Sequence, residues 1–465
     1  MFAVITDTHY YNADALGIRT DHHQQTVNES GALLDAALDL FLARTDCDTL
    51  LIGGDVTCNG ERESHDAFVE KLQRVQAAGK RVLLITSTHD FEQESNARRA
   101  ARGMKVPGDA QTVSGVWNPG MTTRADLPAL YAPFSTDHAL AQFDAYSYVA
   151  RLTDGLRILM LNDDGDGVLT PEGHMLCGYS DELQAWILAQ IDAAQAAGES
   201  IIAMTHHPVL PPFPLYPLIS QRDMLRDYET MRDFFADAGV HVVFTGHTHI
   251  HNIGHYTSPR GNTLTDINTA ALCGAPAPIR FCNFADGTLD VRTETVKDFA
   301  WDLGGKSAGE YLNDHFDHLI RTIQYGAAHD FSAFVSACGD MGLPREKVGG
   351  HKLLVTLAGR FLEKATLGTL GTLLLCRHKL PKAAKRVPLG DLIVDSVRGI
   401  YTGQENYSPQ TPVGAAVQVL AARLQKLVGK KLRGTVAEDL PAFFSSLLYD
   451  DTPDWDVQLT IDNGQ

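Results

Sequence analysis

Six short apolar runs, at residues 2–6, 49–53, 81–86, 157–161, 201–205 and 240–245, alternate with longer stretches of helical periodicity at 29–43, 64–78, 180–197 and 223–238. Runs this short read as buried strands, and the stretches between them as amphipathic helices. Strict alternation of the two kinds demands a layered α/β fold. Later runs near 262–268, 279–284 and 289–293 have no helix between them and read as an antiparallel continuation. Residues 91–146 break the alternation with Arg, Pro, Gly and aromatic residues. An insertion of that length usually serves function, and it reads as a cap beside a site. From about 299 the pattern is helical with Gly and Pro breaks until a last strand-like run at 457–461. The expected organisation is an α/β domain over 1–298 and a mainly helical domain over 299–465.

Chemistry-bearing side chains sit where these strands end. Asp7 and His9 follow the first run, Asp55 the second, His89 and Asp90 the third, His206 and His207 the fifth, and His247 and His249 the sixth. The carboxyl edge of an open α/β sheet is where ligands bind, so residues far apart in sequence are brought to one place. Carboxylate oxygens with imidazole nitrogens suit Zn, Mn or Fe better than Ca or Mg. A carboxylate can bridge two cations. Two cations about 3.5–4 Å apart can clamp the attacking and leaving oxygens of a displacement at phosphorus and activate water as the nucleophile.

Taken in order, Asp7-x-His9, Gly54-Asp55-x4-Gly60-Glu61, His89-Asp90, His206 and Gly246-His247-x-His249 resemble the motif blocks of the calcineurin-like metallophosphoesterases over roughly residues 1–295. The resemblance implies a two-sheet sandwich flanked by helices and metal-dependent hydrolysis of a small phosphoester. It implies two divalent or trivalent transition metals. Asp7, His9 and His249 would hold the first, Asp55 would bridge, and His206 and His247 would hold the second. His89 would stand outside both and assist the leaving oxygen. Two departures stand out. Thr88 occupies the place where the family has an Asn ligand to the second metal. Cys58 and Asn59 stand where protein Ser/Thr phosphatases carry an Asp and an Arg. The block from Gly54 to Glu61, with Leu161-Asn162-Asp163 and Leu183–Trp186, is closer to class III cyclic-nucleotide phosphodiesterases and glycerophosphodiesterases, so a diester is favoured slightly over a monoester. The alternative is a degenerate, non-catalytic member used as a binding scaffold.

Other features constrain partners. The formal net charge is −18, and the excess lies before residue 300, which disfavours a nucleic-acid duplex as ligand. No signal peptide or membrane-length apolar stretch is legible, so the expectation is a cytoplasmic protein without a membrane partner, its oligomeric state open. Seven scattered cysteines without CxxC spacing read as buried free thiols. Arg98, Arg99 and Arg102 could meet a substrate phosphate, and Tyr10, Tyr11, Tyr131 and Phe134 could line a pocket. His207 reads as an anchor for the strand end. His251 continues the i, i+2 series of His247 and His249 and would share their face on an extended segment. Residues 162–173 resemble the opening of a calcium loop but lack its closing Glu.

Overall fold

The structure is a computed structural model and describes residues 1–19, 24–91, 121–165, 177–340, 349–429, 432, 435 and 438–461. It falls into two compact units, one of residues 1–210, 222–312 and 455–465, the other of 211–221 and 313–454.

The first unit opens with three parallel strands, β1 (Phe2–Ile5), β2 (Thr49–Gly53) and β3 (Arg81–Ile85). A second sheet follows from β4 (Ala141–Gln142), β5 (Tyr148–Thr153), β6 (Leu156–Met160), β7 (Ser200–Met204), β8 (Val242–Thr245), β9 (Asn252–Thr257) and β10 (Thr263–Asn268). The chain then returns to the first sheet with β11 (Pro278–Ala285), β12 (Thr288–Thr295) and β13 (Val457–Thr460). The orders are β13-β12-β11-β1-β2-β3 and β4-β5-β6-β7-β8-β10-β9.

Side-chain alternation explains how the layers assemble. On β1, Phe2 and Val4 face the second sheet, where they join Tyr148, Ile158, Ile202 and Phe244 in one core. Ala3 and Ile5 face the other way, under helices Ser30–Ala43 and Arg62–Ala77 with Leu34, Phe41 and Phe68. The period of two buries both faces of a strand against different partners. Helices Asp181–Ala196 and Tyr228–Ala238 cover the outer face of the second sheet through Ile187, Ile191 and Phe235. The result is the helix–sheet–sheet–helix sandwich that the alternation and the motif blocks anticipate.

One expectation needs correction. β10 is not part of an antiparallel continuation from β8: the hairpin with β9 turns the chain round, so β10 runs parallel to β8. β11 and β12 are antiparallel as expected, and they extend the first sheet beside β1. Described residues of the 91–146 insertion also enter the core. Leu127, Tyr131 and Phe134 recur at helical spacing and close against Phe68 and Leu72. The second unit is helical, with Leu367, Leu380, Leu392, Val417 and Leu420 in its main core cluster.

β13 covers the edge of β12 and brings in Ile461, 1% exposed in the inter-sheet core. Ending the chain after Asp454 removes that strand and the Trp455 carbonyl, to which Arg280 donates. The truncated protein is expected to melt roughly 5 °C lower or more, since each kcal/mol lost lowers the midpoint by about 2–4 °C at this size. Calorimetry showing an unchanged midpoint would make β13 dispensable.

Candidate metal centre

The segments that leave β1, β2, β7 and β8 at their carboxyl ends converge, and they build two groups of donors: Asp7, His9 and His249, and Asp55, His206 and His247. Five of these six residues have positive φ: Asp7 at 49°, His9 at 37°, Asp55 at 47°, His247 at 64° and His249 at 57°. An L-residue resists this left-handed conformation, and where it persists the surroundings over-determine it. Here they do. The His247 N–H donates to both oxygens of Asp7, at 3.2 and 3.0 Å, and the Thr6 hydroxyl donates to Asp7 Oδ2 at 2.7 Å. Backbone N–H groups of Asp7 and His9 donate to the carbonyls of Gly54 and Asp55. Gly246 lets the strands close this tightly, since a Cβ there would stand 2.3 Å from Asp7 Oδ2.

The nitrogens point inward for a chemical reason. His206 Nδ1 donates to the Gly53 carbonyl at 2.8 Å, so Nε2 faces Asp55 Oδ2, 3.0 Å away, and offers its lone pair there once its proton has left. His249 Nδ1 donates to Gln24 Oε1 at 3.0 Å, so its Nε2 lone pair faces His9 Nε2, also at 3.0 Å. Two acceptors that close repel unless a proton or a cation lies between them. His206 Nε2 and His247 Nδ1 are buried without a hydrogen-bond partner among the described residues. Asp7 Oδ1 lies 3.3 Å from His249 Nε2 and 3.8 Å from both His9 Nε2 and His206 Nε2. Donors about 2.0–2.2 Å from one cation stand roughly 3–4 Å apart, so these groups fit metal ions.

Charge supports the same fit. Burial would raise Asp55, but His206 and then His89 hold it well below the usual carboxylate range. Burial would lower His206, but Asp55 and Asp7 raise it to about 9. Burial with the neighbouring His249 and His89 lowers His9 to about 3, and burial with His207 and His206 holds His247 well below 6.5. Two ionised carboxylates against the single imidazolium of His206, with His9 and His247 neutral, leave a negative donor set in which a cation can replace the His206 proton.

His89 is partly buried and stands beside the first group, its ring 5.0 Å from that of His9. Its Nδ1 donates to the Cys58 carbonyl at 2.8 Å and its backbone N–H to Asp55 Oδ1 at 2.9 Å. The Thr88 hydroxyl approaches the same Asp55 oxygen at 3.4 Å. Asp90 accepts from Thr57 N and Ser87 N, tying the second motif block to the third.

Other candidates lie elsewhere. Tyr10, 6% exposed, packs on Phe68 in the core, and Tyr131 and Phe134 are equally buried. Arg98, Arg99 and Arg102 lie outside the described residues. His251 does not share the face of His247 and His249, because those two left-handed residues break the extended path. It is buried against Trp455 and Arg280 instead. Asp163 and Asp164, in the calcium-like turn, serve as acceptors for His207 and Arg124.

Asp163 is the site residue whose role the motif blocks leave out. It follows β6, as the donors follow their strands, and that position is the signal that could have singled it out. It is fully buried and accepts from Thr205 Oγ1 at 2.7 Å, His206 N at 3.1 Å, His207 N at 2.7 Å and His207 Nδ1 at 3.0 Å. Burial opposes its ionisation, yet His207 holds it at about 2. The His207 ring lies against that of His247, centroids 3.9 Å apart. One carboxylate thus anchors the backbone of His206 and, through His207, backs the ring of His247.

An α/β sandwich with cation-gathering groups at its strand ends defines a class of metal-dependent hydrolases. The family model described as calcineurin-like phosphoesterase matches residues 1–251, more than half of the chain, and the chain belongs to that family. It is a metal-dependent phosphoester hydrolase. Among solved structures it is similar to a dimetal phosphatase from Danio rerio, 14% identical over 64% of this chain and 97% of that one, with a TM-score of 0.40. A phosphopantetheinyl hydrolase from Mycobacterium tuberculosis is 14% identical over 58% and 89% of the two chains, TM-score 0.32. A sulfate thiohydrolase from Thermus thermophilus is 12% identical over 68% and 59%, TM-score 0.31. No curated protein matches the chain.

Asp163→Ala is expected to weaken metal binding at the His206–His247 group by about 10–100-fold, the range for lost supporting contacts, and to leave the Asp7–His9–His249 group intact. Calorimetric metal titration reads both. Equal weakening at both groups would mean a general loss of fold instead.

Proposed function

We propose that this chain hydrolyses phosphodiesters, and phosphomonoesters less readily, at a centre of two cations drawn from Mn, Zn and Fe. The observation that carries this reading is the place of Asp55. Its Oδ2 faces His206 of its own group at 3.0 Å and His9 of the other at 4.0 Å. In this reading Asp7, His9 and His249 would hold one cation, His206 and His247 the other, and Asp55 would be shared between them. Mixed oxygen and nitrogen donors suit those metals. Two cations held there would supply positive charge for the ester's oxygens and lower the pKa of water toward neutral.

The chain's own residues do the rest. Backbone N–H of His89 and the Thr88 hydroxyl hold Asp55 Oδ1, which leaves Oδ2 for the space between the groups. With Nδ1 on the Cys58 carbonyl, His89 keeps Nε2 to carry a proton to the leaving oxygen. Diester preference is supported by the second block, where Cys58 and Asn59 supply no guanidinium for a dianionic terminal phosphate.

Three substitutions separate these roles. Asp55→Ala is expected to lose both metals and activity together, measured by elemental analysis alongside turnover of nitrophenyl mono- and diesters. Retention of one tightly held metal would break the bridging assignment. His89→Ala should keep its metals and turn over about 10²–10⁴-fold more slowly, with a smaller loss for esters whose leaving groups need no proton. A loss of the same size across leaving groups would instead make His89 a positioning residue. Thr88 offers a shorter, poorer donor than the family's amide, so one metal should bind tightly and one loosely, activity should rise on adding Mn or Zn, and Thr88→Asn should tighten the loose site. Two equally tight sites, unchanged in Thr88→Asn, would refute that account.

A further inference from the structure

In the second unit, helix Lys352–Lys364 is amphipathic with its apolar stripe facing water. Its inner side is set by Gly359, where a Cβ would stand 2.7 Å from the Ala328 nitrogen, so the helix packs there by close backbone approach. Leu353, Leu354, Leu357 and Phe361 face outward, exposed by 74%, 68%, 57% and 37%. Their spacing gathers them on one side of the helix, within about 100° of arc. A continuous apolar patch of this kind marks a binding surface.

The charge around it is as distinctive. Between Gly349 and Gly390 the chain carries eight Lys and Arg residues and a single acid, Glu363, although the whole chain has a net charge of −18. Lys352, Arg360 and Lys364 are exposed on the helix itself. Leu373 and Leu375, exposed by 64% and 76%, precede the basic run that extends from Arg377 to Arg386.

We propose that this helix and the basic turn after it dock on the surface of an anionic phospholipid bilayer. Leucine and phenylalanine side chains enter the boundary between headgroups and acyl chains, and the ammonium and guanidinium groups meet headgroup phosphates. A second copy of the chain is a poor occupant, because self-pairing would bring eight cations against eight with one acid on each side. Nucleic acid would use the cations but leave the leucines in water. Such docking departs from the expectation, drawn from the sequence, of no membrane partner. Among the described residues no helix is long and apolar enough to cross a membrane, and peripheral docking needs none.

The test is sedimentation of the full-length protein with vesicles of phosphatidylcholine alone or with an equal share of phosphatidylglycerol. The expected result is binding to the mixed vesicles about tenfold tighter or more, weakening as salt rises. Leu353→Glu with Leu357→Glu, and separately Lys352→Glu with Arg360→Glu, should each lose about tenfold of that binding. Both pairs should retain wild-type turnover of a soluble nitrophenyl ester and the wild-type melting temperature, which reports an intact fold. Equal binding to both vesicle types, or unchanged binding in both double variants, would overturn the proposal. So would a wild-type dimer that the leucine pair splits, which gives the face to a second copy. Retention of nucleic acid or an acidic peptide without vesicle binding would likewise give it to that partner.

Discussion

The approach of Asp55 to His206 joins two sheets that share no hydrogen-bonded strand pair among the described residues. Asp55 leaves β2 in the first sheet and His206 leaves β7 in the second, and the two side chains meet at 3.0 Å. Their separation is therefore set by how far apart the sheets stand, and that distance is set by the side chains between them. Phe2 and Phe244 meet edge to face there with centroids 6.1 Å apart, within a close-packed layer that includes Leu51, Ile158 and Ile202. Packed interiors have little compressibility, so a change of one methylene in this layer is felt at the strand ends. The chemistry at the edge depends on apolar residues that never touch it.

Rigidity at the edge has a cost as well as a source. Left-handed backbone at Asp7, His9, Asp55, His247 and His249 is unfavourable by about 1–3 kcal/mol per residue. Each conformation turns a side chain back over the end of its strand instead of letting it follow the pleat. The backbone bonds to Gly54, Asp55 and Asp7 hold that geometry before any ligand arrives. Little ordering is then left to occur on binding, which is what preorganisation means in energetic terms.

Much of this was legible in the sequence because strand ends are local signals. An apolar run followed by Asp or His needs no knowledge of partners, and five such places in order pick out the donor residues. What escaped depends on contacts between distant segments. β5 has Arg151 exposed in its middle and β9 has few apolar residues, so neither stands out as a run. The direction of β10 follows from a hairpin and not from composition. The sequence marks Asp163 in a family-like run and a calcium-like turn but not its anchoring role, which comes from hydrogen bonds to residues 42 to 44 positions away. The helical periodicity of 352–364 shows that the helix has an apolar stripe but not which way it faces. Gly359 decides that, through its approach to another helix.

The strand order carries a consequence for the protein as it emerges from the ribosome. β12 is made well before β13, and the bulk of the second unit is translated between them. Throughout that interval the first sheet ends in an open edge, the kind of template on which nascent chains pair wrongly. β12 alternates buried Leu289 and Val291 with Asp290 and Arg292, and charges on a waiting edge discourage a foreign strand. The strands up to β12 are synthesised before the helical unit and lack their edge strand until that unit has been made, so the two units share one maturation clock.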